Sequence, residues 1–97
     1  MRIAVVVSQY HAFITDGLER GARHALAEAG VDEAAVERLL VPGAYELPQA
    51  ASRAGATGRF DAVICLGCLI RGETPHFDYI AQAVAHGITR AAQDTGV

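Results

Sequence analysis

Several things are scarce in this chain. Cysteine occurs twice, too seldom for a disulfide framework, so packing must hold the fold. No apolar run approaches the roughly 18 residues of a membrane span. The N-terminal run Ile3-Ala4-Val5-Val6-Val7 follows Met1-Arg2 directly and is too short for a signal peptide with its cleavage site. The expected location is therefore the cytoplasm, with no membrane partner. A formal net charge of −3 leaves no basic patch, and Arg20, Arg23, Arg53, Arg59 and Arg90 are scattered. Nucleic acid is excluded as an expected partner on that ground. There is no G-x-G-x-x-G, no Walker loop and no G-x-S-x-G. His24 and His86 sit mid-helix and read as surface or packing residues, and metal binding has no support.

What is present is an alternation of apolar strands and helices. The 52% hydrophobic content argues against disorder, and 97 residues suit one domain, residues 1–97. Residues 2–7 read as a buried strand, continuous and β-branched. A helix is expected from Phe13 or Ile14 to Ala29, with Ile14, Leu18, Ala22, Ala25, Leu26 and Ala29 at helical spacing and Gly30 as the stop. Gly17 and Gly21 either weaken it or let it pack close to a strand. Val36–Val41 is a second strand, followed by the turn Pro42-Gly43. Tyr45 to Ala56 is a second helix, with Pro48 in its first turn and Gly55 and Gly58 at its end. Phe60–Leu66 is the third strand, and Pro75 to about Asp94 the third helix, with Phe77, Ile80, Val84, Ile88 and Ala91 along one face. This β-α-β-α-β-α order predicts an α/β fold with a parallel sheet covered on both faces. Gly96 then stops the last helix where another strand would begin. Three strands leave an apolar edge, so a fourth strand is expected beyond Val97, or a partner on that edge.

The candidate site lies where the strands end. In open α/β sheets ligands bind outside the carboxyl ends of the strands. Three loops meet that description: Ser8–Ala12, Pro42–Glu46 and Gly67–His76. Tyr10 and Tyr45 can stack on a flat ring, although packing is the simpler reading for each alone. Glu46 can accept hydrogen bonds from hydroxyls or amines. Gly67, Gly72 and the amides between them can reach a heterocycle or a phosphate. Thr74 suits an N-cap and Pro75 the first helical position. His76 then falls in the first turn, where free amides and the helix dipole favour an anion. Histidine also titrates near neutral pH, so a phosphate and a proton carrier can meet here. His11 is a weaker candidate. Cys65-Leu66-Gly67-Cys68 has C-x-x-C spacing, but a redox pair should open a helix directly. Two small buried hydrophobes fit better.

At these residues the chain resembles the 6,7-dimethyl-8-ribityllumazine synthase family of riboflavin biosynthesis. The resemblance runs through Ser8-Gln9-Tyr10-His11-Ala12-Phe13-Ile14-Thr15, Val41-Pro42-Gly43-Ala44-Tyr45-Glu46-Leu47-Pro48, and Leu66-Gly67-Cys68-Leu69-Ile70-Arg71-Gly72-Glu73-Thr74-Pro75-His76-Phe77-Asp78-Tyr79. It implies a flavodoxin-like three-layer sandwich and a transferase. The reaction would condense 5-amino-6-(D-ribitylamino)uracil with 3,4-dihydroxy-2-butanone 4-phosphate, without metal or organic cofactor. Tyr10 would stack on the pyrimidine. Ala44, Tyr45 and Glu46 would hold the pyrimidine and its ribityl chain. Cys68, Leu69 and Ile70 would contact the pyrimidine through backbone groups. Glu73 and Thr74 would meet the phosphate, and His76 would carry protons. The resemblance further implies a pentamer-based homo-oligomer with sites between subunits. A further strand, a phosphate-binding arginine and an aromatic cap would lie beyond Val97. The alternative expectation is a truncated, non-catalytic homologue that binds a ligand or only assembles.

Overall fold

Six consecutive residues, Ile3–Ser8, form strand β1, and every one is buried. That burial follows from its position in the sheet. The computed structural model describes residues 1–72 and 76–97. In it β1 lies between β2 (Val36–Val41) and β3 (Ala62–Leu66), in the order β2-β1-β3. Both pairings are parallel, with Val6 opposite Leu39 on one side and Cys65 on the other. A central parallel strand has no solvent-facing side, so it needs a continuous apolar run rather than alternation. The outer strands are only half-buried.

Three helices cover the sheet: α1 (Ala12–Glu28), α2 (Leu47–Ala56) and α3 (His76–Thr95). Ile3, Val5 and Val7 pack toward Leu26 of α1 and Val31. Val6 packs with Ala44, with Leu47 of α2 and with Val84 and Ile88 of α3. Ala4 meets Ala54 and Phe60. The chain is thus the expected α/β three-layer arrangement, with α1 on one face and α2 and α3 on the other. No helix among the described residues is long and apolar enough to cross a membrane.

Several expected boundaries shift, each for a local reason. The third strand starts at Ala62, not Phe60. The Asp61 amide donates to the Arg2 carbonyl at 2.7 Å, the Arg2 amide donates to Asp61 Oδ2 at 2.7 Å, and Phe60 turns into the core. The second helix is preceded by a tight 3-10 turn, Ala44–Glu46, so Pro48 falls in the first turn of α2, where its missing N–H is harmless. Gly55 stands in the last turn of α2, one residue before its end at Ala56, as expected. It is also buried, and a Cβ there would sit 2.6 Å from Thr95 Oγ1. Gly58, with φ +71, makes the turn that follows.

The apolar phase of α1 also differs. Its buried residue is Thr15, whereas Ile14 and Leu18 are exposed. Ala25 and Ala29 are exposed as well. A Cβ on Gly21 would meet nothing within 4 Å, so that glycine does not mark a close approach. His24 is exposed and pairs with Glu28 at 3.0 Å along the helix surface.

Candidate functional site

The parallel ladder does not stop at the formal end of β1. The Gln9 amide donates to the Val41 carbonyl at 2.8 Å, and the Tyr10 amide to the Pro42 carbonyl at 3.1 Å. The loop after β1 is therefore stitched to the loop after β2. The Glu46 amide donates back to the Gly43 carbonyl at 3.2 Å, closing the 3-10 turn. Glu46 curls over Gly43 so closely that a Cβ on that glycine would lie 3.3 Å from Glu46 Oε2.

The third loop reaches the other two because Gly67 has no side chain. A Cβ there would lie 2.7 Å from Leu47 Cδ1 and 3.4 Å from the Ala44 Cβ. The chain leaving β3 can thus lie on the second loop. Beneath it is the Ser8 hydroxyl, buried and without a partner among the described residues.

These three loops and the start of α3 enclose a cavity of about 410 Å³, lined by Tyr10, Pro42, Gly43, Ala44, Tyr45, Glu46, Leu69, Ile70, His76 and Ile80. A second, more open hollow of about 500 Å³ adjoins it and shares Tyr45, His76 and Ile80, adding Tyr79 and Ala83. Both volumes are within the range of small-molecule sites. The structure therefore gathers Tyr10, Ala44, Tyr45, Glu46, Leu69, Ile70 and His76 around one cleft. Cys68 is half-buried and is not part of that lining. Glu73 and Thr74, with the cap expected at Thr74-Pro75, lie outside the described residues.

Exposure separates stacking surfaces from packing. Tyr10 is 58% exposed and Tyr45 63%, so neither ring is core filler at a strand end. Tyr10 is braced by the His11 imidazole, with ring centroids 4.0 Å apart and planes at 65°. On the far side of the cleft, Arg71 pairs with Asp78 at 3.3 Å and lies 5.2 Å from the Phe77 ring centroid. That exposed pair ties the loop leaving β3 to the first turns of α3.

Neither cysteine side chain lines the cleft. Cys65 packs beside Val6, Ala44 and Leu47, both thiols are free, and burial pushes the Cys65 thiol up. A redox cysteine needs the opposite shift. Sequence reasoning did not single out Ile80 and Tyr79 as site residues. Their signal was available: positions three and four beyond His76 share its helix face.

An open strand-end cleft at the switch of a β2-β1-β3 sheet, with two exposed aromatic rings, one carboxylate and a histidine, defines a class of small-molecule α/β protein. The particular relationship comes from comparison with known proteins. The model of the 6,7-dimethyl-8-ribityllumazine synthase family matches residues 1–97, and the chain belongs to that family. It is 52% identical over 97 residues to the 6,7-dimethyl-8-ribityllumazine synthase of Kineococcus radiotolerans. The alignment covers all of this chain and 58% of that relative's length.

Proposed function

We propose that this chain contributes the strand-end site of a 6,7-dimethyl-8-ribityllumazine synthase, a transferase of riboflavin biosynthesis. It condenses 5-amino-6-(D-ribitylamino)uracil with 3,4-dihydroxy-2-butanone 4-phosphate. The observation that carries this reading is the single cavity on which Tyr10, Tyr45, Glu46 and His76 converge, in a chain of this family.

In this reading Tyr10 stacks on the pyrimidine. Ala44, Tyr45 and Glu46 hold the ring and the ribityl chain, the carboxylate accepting from ribityl hydroxyls. Cys68, Leu69 and Ile70 meet the pyrimidine edge through backbone groups. Glu73 and Thr74 receive the butanone phosphate, and His76 stands between the two substrates.

The chemistry needs such a group. The amine of the pyrimidine attacks the ketone carbonyl, and the adduct must lose water to give an imine. Phosphate must leave before the ring closes. Each step moves a proton at nitrogen or oxygen, which a positioned imidazole can take and return. Bringing two substrates into one cleft supplies a further part of the rate.

The site is completed by a neighbouring subunit in a pentamer-based homo-oligomer in the cytoplasm. The exposed Phe13, Ile14 and Leu18 support association of this kind, because apolar groups left in water favour contact.

His76→Ala in the intact protein is expected to lower turnover by about 10²-fold, the lower end for loss of a general acid/base, with pyrimidine affinity almost unchanged. Steady-state kinetics and a binding titration check this. Unchanged turnover removes His76 from the role.

A further inference from the structure

His11 is at odds with its surroundings in two ways. It is the one non-glycine residue in the left-handed region among the described residues, with φ 57 and ψ 54. Its Nε2 is also buried, with no hydrogen-bond partner among those residues. A side chain in that backbone region is uncommon, and a buried ring nitrogen without a partner is costly. Features of this kind persist where the surrounding structure over-determines them, and they cluster at functional sites.

The usual structural jobs of such a residue are not filled. His11 occupies the N-cap of α1, yet its side chain makes no capping hydrogen bond. It forms no ion pair among the described residues. What it does make is the edge-on contact with Tyr10, at 4.0 Å between centroids. The left-handed turn at His11 allows this, because it brings the two consecutive rings onto each other. A tyrosine that is 58% exposed would otherwise be free to change rotamer.

We propose that His11 is a positioning residue: its imidazole edge holds the Tyr10 ring in the orientation that receives a planar ring in the cleft. The proposal rests on the reading of the cleft as a pyrimidine site. It assigns His11 no contact with substrate and no proton transfer.

The test uses His11→Asn and His11→Gly in the intact protein. Both residues accept the left-handed backbone and remove the aromatic edge. Three quantities are read: the NMR shifts of the Tyr10 ring protons, the affinity for 5-amino-6-(D-ribitylamino)uracil, and the thermal midpoint. The Tyr10 ring shifts should move toward those of a free tyrosine. Affinity should fall about tenfold, the scale of one aromatic pair. The thermal midpoint should stay level or rise, since strain and a buried orphan nitrogen have been removed. Binding and stability moving apart is the signature of positioning. Unchanged ring shifts and affinity in both variants would overturn it, as would an affinity loss matched by a loss of stability. If the wild-type protein does not bind the pyrimidine, the reading of the site fails. The ring shifts then decide the role of His11 alone, a change supporting it and no change overturning it.

Discussion

The two faces of the sheet are built differently. On one face α2 and α3 run side by side in the same direction and touch at two glycines. A Cβ on Gly87 would lie 2.5 Å from the Pro48 Cβ, and one on Gly55 would lie 2.6 Å from Thr95 Oγ1. At each, the bare glycine backbone of one helix meets a side chain of the other, and Leu47, Ala51 and Ala54 are buried between them and the sheet. On the other face α1 stands alone. Its ties to the sheet are partly ionic: Glu19 accepts from Arg38 of β2 at 3.0 Å and from Arg23 of its own helix at 3.1 Å. It leaves Ile14 and Leu18 exposed. The face bearing α2 and α3 is set by shape, whereas α1 keeps surplus apolar surface and is held loosely. The cleft draws His76 and Glu46 from the tighter face and Tyr10 from the start of the looser one.

One substitution made on each face should give opposite signs. Gly87→Ala should have the largest effect. With a Cβ 2.5 Å from Pro48, overpacking falls in the upper part of its usual range, about 2–3 kcal/mol, and the better helix propensity of alanine returns about 1 kcal/mol. A net loss of about 1–2 kcal/mol should lower the thermal midpoint by several degrees. A neutral result in a denaturation experiment would mean that α2 and α3 are not close-packed. Gly21→Ala on α1 meets open space and should stabilise by about 0.5–1 kcal/mol through propensity alone. A loss there would show that α1 is as tightly seated as its counterparts.

The smallest effect concerns acid. Burial by itself raises the Glu19 carboxyl, but the hydrogen bonds and charges of Arg38 and Arg23 outweigh it and hold the group below the usual carboxylate range. A depressed carboxylate stabilises the fold above its unfolded pKa, and the contribution fades as pH falls through the lower, folded value. Glu19→Gln should therefore cost about 0.5 kcal/mol near neutral pH and flatten the acid side of the stability–pH curve. An unaltered curve would mean that the Arg38 contact does nothing for α1.

Much of this architecture is written in local pattern. Residues 3–7 are continuously apolar, and all but Ala4 β-branched, because β1 is covered everywhere, and the ends of the three strands locate the cleft. The phase of α1 is different. An alanine-rich helix carries few large side chains, so Ile14 and Leu18 pull the reading toward their own face, while Thr15 is the residue that is buried. Gly55 was legible in part: it stands where α2 ends, but a glycine near a helix end does not announce a close contact as well. That contact is set by the partner helix, far along the chain at Thr95. The conformation of His11 was not legible at all. Nothing in its neighbours demands a left-handed backbone, and glycine is the residue that takes it most readily. The gathering of Tyr10, Tyr45, Glu46 and His76 was legible, since it needed only the strand ends to be right.

The contact between Gly87 and Pro48 reaches further than its own packing. A helix cannot glide smoothly along its neighbour, because its ridges must reseat in the next set of grooves. The proline ring against the bare glycine therefore acts as a detent that fixes where α3 stops along α2. His76 lies about three turns, or ~16 Å, back along the same rod. How deeply the imidazole enters the cleft is thus gauged by a notch with no ligand of its own. Filling that notch would shift the reach of the histidine while leaving every residue of the cleft unaltered.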